Sequence, residues 1–334
     1  TATGQPILQP GLREAITKAA EEIGWSEKYH PAAKTVPDLE AEPVRGVGLS
    51  ASFYGVGLGA GGKKLARAGA YVQVEQDASI RVYIGNTEMG QGARSVIGQI
   101  AAETLAAPFE NVHVSRADTS RVPDSGPTVA SRTTVMSGGA VMDACHNIRA
   151  SLVTAVARKL NCPESEIVPC GAGYSRRSSS ETEIEFAEAV TLAMDDRLQL
   201  TAAGWYVSPN TSFAETDGQG HAYMTYVWSA NAVEVEVDPG TLQAKVIKIA
   251  AAHDVGKAIN PREVSGQIQG GTLQGFGYAT SEKIAYSGTT PTLGDMPGGI
   301  MLNPGFSGYI CPTAMDVPEI IPIIIENAYD EGPY

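Results

Sequence analysis

Cysteine is scarce in this sequence, and its spacing excludes the sites that cysteines usually form. The chain of 334 residues has four, Cys145, Cys162, Cys170 and Cys311, and no two of them form a Cys-x-x-Cys pair. Structural zinc sites and iron–sulfur clusters need about four clustered thiolate or imidazole ligands. We therefore expect no disulfide framework, zinc site or iron–sulfur cluster in this chain, and reduced, buried cysteines that pack as small apolar side chains.

Long apolar runs and a secretory leader are also absent. The sequence contains no stretch of about 18 apolar residues, which is the length of a membrane-spanning helix. The first residues, Thr1–Gln5, include neither an initiator methionine nor the pattern of a signal peptide. We therefore expect a cytoplasmic protein without a membrane span, whose chain begins inside a longer polypeptide or after processing.

Basic residues are outnumbered by acidic ones. The sequence has 24 Lys and Arg against 37 Asp and Glu, which gives a formal net charge of −13. This balance argues against nucleic acid or an anionic membrane surface as a partner. The 43% hydrophobic and 18% charged content is typical of a globular chain, and its length suffices for one large domain or two medium ones.

The sequence does contain two turns of the kind that binds anions. The glycine turn, residues 85–92, joins a strand-like run at Ile80–Ile84 to a helical pattern at Ala93–Ala106. The hydroxyl turn, residues 128–134, opens a helical pattern at Val135–Leu160. Small residues at a helix start expose backbone N–H groups at its positive end, which favours a bound phosphate. Neither turn ends in Gly-Lys-Ser/Thr, so nucleotide hydrolysis is disfavoured.

Other segments allow both a functional and a structural interpretation, and the structural one is favoured in each. The glycine-rich stretch Gly55–Gly62 suits a phosphate loop or a hairpin connection. His253 and Asp254 form an acid–base pair or, as neighbours on opposite strand faces, a structural element in which Asp254 caps the loop before Asn260. Glu88 is a general base or a group that stabilises a helix start.

Hydrophobic periodicity predicts the remaining elements. Helices are expected at Gly11–Ile23, Thr182–Met194 and Glu263–Ala279, a long hairpin at Tyr223–Ala252, and a polar surface loop at Ser175–Ser180. The third helix carries a stripe of glycines that would allow another backbone or a flat ligand to approach closely.

A series of ordered motifs resembles one enzyme family. The motifs are Thr87–Gly92, Asp118–Thr119, Val129–Arg132, His253–Lys257, Asn260–Pro261, Gly266–Gly271 and Gln274–Gly275. Over nearly the whole chain, their order and spacing are similar to those of the molybdenum-cofactor subunit of the xanthine dehydrogenase and aldehyde oxidase family. Ordered motifs are far more specific than any single turn.

The resemblance implies a molybdopterin-type molybdenum cofactor, with its mononucleotide and dinucleotide forms both left open. In this family the cofactor's own sulfurs hold the metal, so no side chain here is expected to be a metal ligand. Pterin contacts are implied at Gly90, Gln91 and Gly92, with Gln267 completing the recognition of the pterin amide. A phosphate would be held by backbone amides and hydroxyls. The implied phosphate-binding residues are Thr128, Val129, Ala130, Ser131, Arg132 and Thr133.

The resemblance also implies a reaction and partners. The reaction is hydroxylation of a carbon next to a heteroatom, in an N-heterocycle such as a purine or in an aldehyde, with water as the oxygen source. The family's general base is a glutamate in a motif that starts like Gly332–Tyr334, so we expect it beyond Tyr334 and expect no catalytic residue here. The implied partners are the N-terminal half of the molybdenum subunit, iron–sulfur and FAD-carrying chains or domains, and a small-molecule substrate.

The predicted fold is α+β, with two intertwined α/β-sandwich modules. Residues 1–43 would form an N-terminal helix and linker, residues 76–200 a molybdopterin-binding module with both turns, and residues 44–75 plus 220–334 a second such module. The expected function is that of the C-terminal half of a molybdopterin-binding subunit. A non-catalytic scaffold that retains the fold and an unrelated phosphate-binding enzyme are the alternatives.

Overall fold

The chain folds into two units, each assembled from separated stretches of sequence. The structure is a computed structural model that describes residues 1–7, 10–31, 42–209, 211–286, 299, 301–328 and 332. Unit 1 comprises Thr1–Gln9, Tyr54–Val227 and Ala328–Tyr334, and unit 2 comprises Pro10–Phe53 and Trp228–Asn327. The linker part of the predicted N-terminal segment, residues 32–41, and most of residues 329–334 lie outside the described residues.

Both helices and sheets are present, which confirms the predicted α+β class. The helices are α1 (Leu12–Ile23), α2 (Trp25–Lys28), α3 (Ala93–Leu105), α4 (Gly138–Leu160), α5 (Phe186–Asp195) and α6 (Pro261–Thr280). The strands are β1 (Val44–Gly55), β2 (Arg67–Val74), β3 (Ile80–Tyr83), β4 (Val112–Val114), β5 (Ile167–Pro169), β6 (Gly173–Arg176), β7 (Ile184–Glu185), β8 (Thr201–Val207), β9 (Ser212–Ala214), β10 (Gln219–His221), β11 (Tyr226–Val237), β12 (Ala244–Asp254) and β13 (Glu319–Ile325). Short 3₁₀ turns occur at Gly59–Leu65, Phe109–Asn111 and Glu164–Glu166, and a π-helical turn at Thr133–Ser137.

The largest sheet of unit 1 brings the two turns together. Its strand order is β4-β3-β2-β8, and β3 and β4 are parallel neighbours. The glycine turn follows β3 and leads into α3, while the segment after β4 leads through the hydroxyl turn into α4. Because the carboxyl ends of parallel strands meet at one edge of a sheet, ligand sites form there. Both turns therefore start from the same sheet edge.

Small side chains allow α4 to pack closely on this sheet. Ala70 and Val72 of β2 are fully buried. On β8, Gly204 lies so close to α4 that an added Cβ would stand 1.9 Å from the carbonyl oxygen of Ala140 and 2.6 Å from the amide nitrogen of Ala144. A smaller sheet, β5-β6-β7, and α5 pack against the rest of the unit. The helix–sheet distance thus depends on having no side chain at position 204.

Unit 2 is a sheet of order β1-β11-β12-β13 with helices against it. β11 and β12 form the predicted hairpin, and β13 runs parallel to β12. Buried side chains of α1, namely Ala15, Ala19 and Ile23, pack on alternate residues of the central strands. α1 ends at Gly24, which has φ 73°, as the sequence predicted. The helix α6 packs against β12 and β13.

The unit boundaries differ from those predicted. Residues 54–75 belong to unit 1, although the prediction joined them to residues 220–334. The reason is that β2 pairs with β3 on one side and β8 on the other. Residues 10–31 belong to unit 2 because α1 fills its core. Sequence periodicity identifies a strand or helix but does not identify its neighbours.

Two local predictions were wrong in unit 1. Ser175 and Arg176, assigned to a polar loop, lie in β6, where Ser175 is fully buried and Arg176 forms a salt bridge with Glu183. The helix expected from Thr182 begins only at Phe186, because β7 pairs with β6 just before it. Pairing between neighbouring strands therefore prevailed over the local helical pattern.

The cysteines are free, as predicted, but not all are buried. Cys145 is buried in α4, Cys162 and Cys170 are half-buried, and Cys311 is exposed. Burial raises the pKa of the Cys145 thiol far above its ordinary value, so this side chain is an inert part of the core. The prediction of buried cysteines therefore holds for Cys145 alone.

The contact between β8 and α4 gives a test of the fold. We expect Gly204→Ala to lower the free energy of unfolding by about 1–3 kcal/mol, because the added methyl must displace helix backbone. Gly48→Ala, in strand β1 with nothing within 4 Å of its Cβ position, should change it by less than about 0.5 kcal/mol. Denaturant titration of both variants measures the difference. Equal unfolding curves would contradict the close packing.

Candidate functional site

The glycine turn and the hydroxyl turn lie side by side and are hydrogen-bonded to each other. The amide of Thr87 donates to Thr128 Oγ1 at 2.8 Å. Ser137, at the end of the π-helical turn, donates to Asn86 Oδ1, and both of these side chains are buried. Buried polar groups of this kind fix one arrangement when they are paired. The two turns are therefore held as one body.

A buried serine ties the glycine turn to the sheet. Gly85 donates its amide to Ser125 Oγ at 2.8 Å, and the same hydroxyl donates to the carbonyl oxygen of Gly69 in β2 at 2.7 Å. Ser125 is almost fully buried. Its hydroxyl thus uses both its acceptor and its donor capacity to join the turn to β2.

The guanidinium of Arg132 is directed at backbone carbonyls, and the predicted place of this residue in the phosphate site stays a prediction. Its side chain is buried, and its terminal nitrogens donate to the carbonyl oxygens of Ser125 and Pro127 at 2.8 and 2.9 Å and of Leu65 and Arg67 at 3.0 and 2.6 Å. Burial lowers the pKa of Arg132 from its usual range, although an arginine remains protonated in a protein. The guanidinium fixes the segment before the hydroxyl turn to the start of β2.

The hydroxyl turn presents donors without partners. Ala130 and Ser131 both have φ 54°, a left-handed conformation that non-glycine residues adopt rarely and mostly at functional sites. In the part of the chain that the structure describes, no hydrogen bond engages the amides of Val129, Ala130 and Ser131 or the hydroxyls of Ser131 and Thr133. These groups form a neutral donor set with the chemistry that a phosphate requires.

The glycine turn, in contrast, is already occupied by a carboxylate of its own. Glu88 Oε1 accepts from the amides of Gly90 at 2.9 Å and Gly92 at 3.1 Å, and Oε2 accepts from that of Arg94 at 3.0 Å. Partial burial opposes ionisation, but these hydrogen bonds outweigh it and lower the pKa of Glu88. The predicted role of Glu88 at the helix start is confirmed, and the predicted anion site at this turn is filled.

Gln91 also bonds within the glycine turn. Its Oε1 accepts from the amide of Met89 at 2.6 Å, and its Nε2 donates to the carbonyl oxygen of Thr87 at 2.8 Å. Gly90 has φ 99°, and nothing lies within 4 Å of its Cβ position. The turn therefore has an open, side-chain-free tip at which a flat group can approach. Pterin contacts by Gly90, Gln91 and Gly92 remain a prediction.

The Gly55–Gly62 stretch has a supporting role in unit 1. Added Cβ atoms at Gly55 and Gly59 would stand 2.3 and 2.5 Å from ring atoms of Tyr223, so the loop is packed around this ring. Gly57 donates its amide to the carbonyl oxygen of Ala130 at 2.8 Å. The loop thus supports the hydroxyl turn, which favours the structural interpretation of this stretch over a phosphate loop.

In unit 2, His253 and Asp254 do not form an acid–base pair. Asp254 is buried and accepts from the amides of Gly256 at 3.3 Å and Asn327 at 3.1 Å. These bonds agree with the predicted structural role, in which Asp254 caps the loop before Asn260. The helix α6 itself is capped by Asn260, whose Oδ1 accepts from the amide of Glu263 at 3.1 Å. Burial lowers the pKa of His253, which therefore favours the neutral form.

Gln267 lies on α6 and is exposed. The glycine stripe of the same helix, Gly266, Gly270, Gly271 and Gly275, has nothing within 4 Å of any added Cβ. The stripe thus leaves an open face on the helix, as its composition predicted. The role of Gln267 as a pterin contact stays a prediction.

Within the described ranges, no group of three or more His, Cys, Asp and Glu residues could hold a metal ion. Over the same residues, no helix is long and apolar enough to cross a membrane. The hydroxyl turn thus has no such metal-binding group beside it among the described residues.

Sequence comparison assigns this chain to a family. The family model described as "Molybdopterin cofactor-binding domain" matches residues 18–318. The chain belongs to this family. One relative is a xanthine dehydrogenase of Dictyostelium discoideum, which is 30% identical to this chain over 316 residues. The matched region covers 93% of this chain and 21% of the relative. The chain thus spans about a fifth of the length of this curated relative.

Solved structures of similar fold support the assignment. A quinoline 2-oxidoreductase from Pseudomonas putida matches with a TM-score of 0.78 and 21% identity, over 98% of this chain and 40% of the other. An aldehyde oxidoreductase from Desulfovibrio desulfuricans matches with a TM-score of 0.70 and 26% identity, over 100% of this chain and 32% of the other. The α+β fold described above is therefore shared with these two enzymes.

The donor set of the hydroxyl turn fits the family's cofactor. A molybdopterin carries its negative charge on a phosphate, and neutral amides and hydroxyls at a helix start suit that group. The cofactor's own sulfurs hold molybdenum, so the cofactor needs no cluster of protein ligands.

The four hydrogen bonds of Arg132 give a test of what supports this site. We expect Arg132→Met to lower the free energy of unfolding by at least about 3 kcal/mol, because each buried carbonyl left unpaired costs about 1–3 kcal/mol. Arg121→Met removes an exposed arginine whose ion pair, among the described residues, is with Asp118 alone, and it should have little effect. Thermal and denaturant unfolding measure both. A stable Arg132→Met variant would contradict the conclusion that this side chain joins the segment before the hydroxyl turn to β2.

The lowered pKa of Glu88 predicts how the stability of the glycine turn depends on pH. Because the folded-state pKa lies below the ordinary value of 4.5, the contribution of the ionised carboxylate is complete above that value. It is lost as the pH falls from there through the folded-state pKa. The difference in unfolding free energy between wild type and Glu88→Gln should shrink over this range. A difference that is constant down to low pH would contradict the assignment.

Proposed function

We propose that the full protein is a molybdenum hydroxylase of the xanthine dehydrogenase and aldehyde oxidoreductase type, and that this chain supplies cofactor-holding elements of its molybdenum subunit. The observation that carries the proposal is the unpartnered donor set of the hydroxyl turn in a member of the molybdopterin cofactor-binding domain family. The proposed substrate is an N-heterocycle such as a purine, or an aldehyde. A non-catalytic scaffold is not favoured, because a scaffold needs no set of unpartnered donors at a helix start.

The residues of this chain bind and orient the cofactor in the proposed mechanism. The amides of residues 129–131 and the hydroxyls of Ser131 and Thr133 hold its phosphate. The open tip at Gly90 lets the flat pterin approach backbone, and Gln91 can offer its remaining N–H to the ring while it stabilises the turn. The bound cofactor supplies the redox chemistry, with water as the oxygen source. Positioning of this kind is where a protein contributes most to cofactor chemistry.

The carboxylates of the two turns are unsuited to act as the general base. The oxygens of Glu88 are occupied by three amides, and its pKa is lowered. Asp124, just before the hydroxyl turn, is paired with Arg67, and its pKa is also lowered, chiefly by a hydrogen bond from the amide of Gly126. A base that works near neutrality needs a pKa closer to that range. We propose that the base is the family's glutamate, outside this chain.

We further propose that the remaining part of the molybdenum subunit covers an apolar surface of unit 2. Phe306 and Met315 are both 92% exposed, and Tyr278, Leu302 and Ile310 are also exposed. Large apolar side chains with this exposure are candidates for a contact surface, and this chain spans about a fifth of the length of a curated relative. Iron–sulfur and flavin chains or domains and a cytoplasmic location belong to the same proposal.

A charge introduced into the hydroxyl turn tests the proposed function. Ser131→Asp places a carboxylate where the phosphate should bind, so the purified enzyme should retain less than about a tenth of the wild-type molybdenum, which a loss of about 1.4 kcal/mol in binding suffices to cause. Ser178→Asp makes the same charge change at an exposed serine of another turn and should leave the metal content unchanged. Elemental analysis of the assembled enzyme is the measurement. Wild-type metal content in Ser131→Asp would overturn the assignment.

A further inference from the structure

The starts of α3 and of the helix that follows the hydroxyl turn both present backbone amides, but only those of α3 are hydrogen-bonded to a carboxylate. The amides of Gly90, Gly92 and Arg94 point at one carboxylate at the start of α3, at 2.9–3.1 Å. The amides of residues 129–131 have no partner in the described part of the chain. Both sets lie at the positive end of a helix, which attracts negative charge. One of two neighbouring anion positions is therefore filled from within.

The carboxylate of Glu88 is held by backbone and not by a basic side chain. Among the described residues, no lysine or arginine forms a salt bridge with Glu88, and Arg94 acts on it through its amide and at longer range through its charge. The side chain is half-buried. A second anion brought to these amides would meet both a filled donor set and a like charge, which opposes binding.

The two positions are close enough to matter for a single ligand. The amide of Thr87, directly before Glu88, donates to Thr128 Oγ1 at 2.8 Å, and Thr128 directly precedes the unpartnered amides. A ligand with one anionic end and one neutral end, lying across both turns, would have two orientations if both helix starts were open. The filled position removes one of them.

We propose that Glu88 is a built-in anion that excludes phosphate from the glycine turn and directs the anionic end of the ligand to the hydroxyl turn. Glu88 is thus a positioning residue, and it sets the polarity of the site without being a phosphate ligand. That the ligand is a molybdopterin rests on the proposed function, whereas the exclusion of phosphate from the glycine turn does not. Removal of Glu88 should convert the glycine turn into a second phosphate site.

The experiment uses inorganic phosphate as the probe and needs no molybdenum. In the purified full-length protein, Glu88→Ala exposes three amides and should bind phosphate at the glycine turn at least about fivefold more tightly than wild type, the ratio given by about 1 kcal/mol at a helix start. Amide chemical shifts locate the binding. Phosphate should shift the amides of residues 90–94 in the variant and of residues 129–131 in both proteins.

Recovery of stability by an added anion separates this role from a merely structural one. Glu88→Ala should melt at a lower temperature than wild type, and phosphate should restore part of the loss in a saturable way. Glu110→Ala, at an exposed glutamate of the same unit, controls for general salt effects. If Glu88→Ala folds too poorly, Glu88→Gln, which removes the charge and leaves the amide of Arg94 without an acceptor, takes its place.

The outcomes distinguish this inference from the proposed function. Phosphate-dependent shifts at residues 90–94 in wild type, or no phosphate-dependent recovery of the Glu88 variants beyond that of Glu110→Ala, would overturn the role of Glu88. Neither result depends on cofactor loading. The proposed function fails on a different observation, which is wild-type molybdenum content in Ser131→Asp.

Discussion

The buried guanidinium of Arg132 is the interaction on which the rest of the site depends. It donates to two carbonyl oxygens in the segment just before the hydroxyl turn and to two at the start of β2. An arginine offers five donors in a fixed plane, so one side chain can hold two backbone segments at set distances. The bonds of Ser125 and Thr128 then join the glycine turn to the same framework. The guanidinium of Arg132 therefore stabilises the backbone around the hydroxyl turn.

In the hydroxyl turn, the groups that order the backbone are different from the amides that have no partner. Ala130, one of the two left-handed residues, accepts a hydrogen bond from the amide of Gly57, and Arg132 fixes the segment just before the turn. This framework orders the turn in the absence of a ligand. Preorganised donors of this kind bind anions at little cost in ordering. Glu88 gives the neighbouring turn the opposite property, because there the donors are satisfied before any ligand is present. Two similar helix starts thus differ in whether their amides are hydrogen-bonded within the chain.

In each unit, small residues allow a helix to lie close to a sheet. In unit 1, the absence of a side chain at Gly204 sets the distance between β8 and α4. In unit 2, alanines of α1 pack with alanines of the central strands, and the same buried cluster includes Ile23 and Ile325. Such close helix–sheet contact fixes backbone positions firmly, since interiors tolerate few added atoms. In unit 1, this packing also fixes the position of the hydroxyl turn, because α4 follows directly from it.

The sequence by itself determined the family, the α+β class and both turns, because ordered motifs, glycines and helical periodicity are local signals. It also predicted that Glu88 stabilises a helix start. Only the tertiary structure decided that Arg132 joins two backbone segments and that residues 54–75 belong to the unit with the turns. It also decided that Glu88 accepts hydrogen bonds from the amides of the glycine turn. Each of these depends on which distant backbone groups meet a side chain, as the carbonyls of Leu65 and Arg67 meet Arg132. Sequence periodicity specifies which face of an element is buried, but the partner on that face is set by strand pairing and packing.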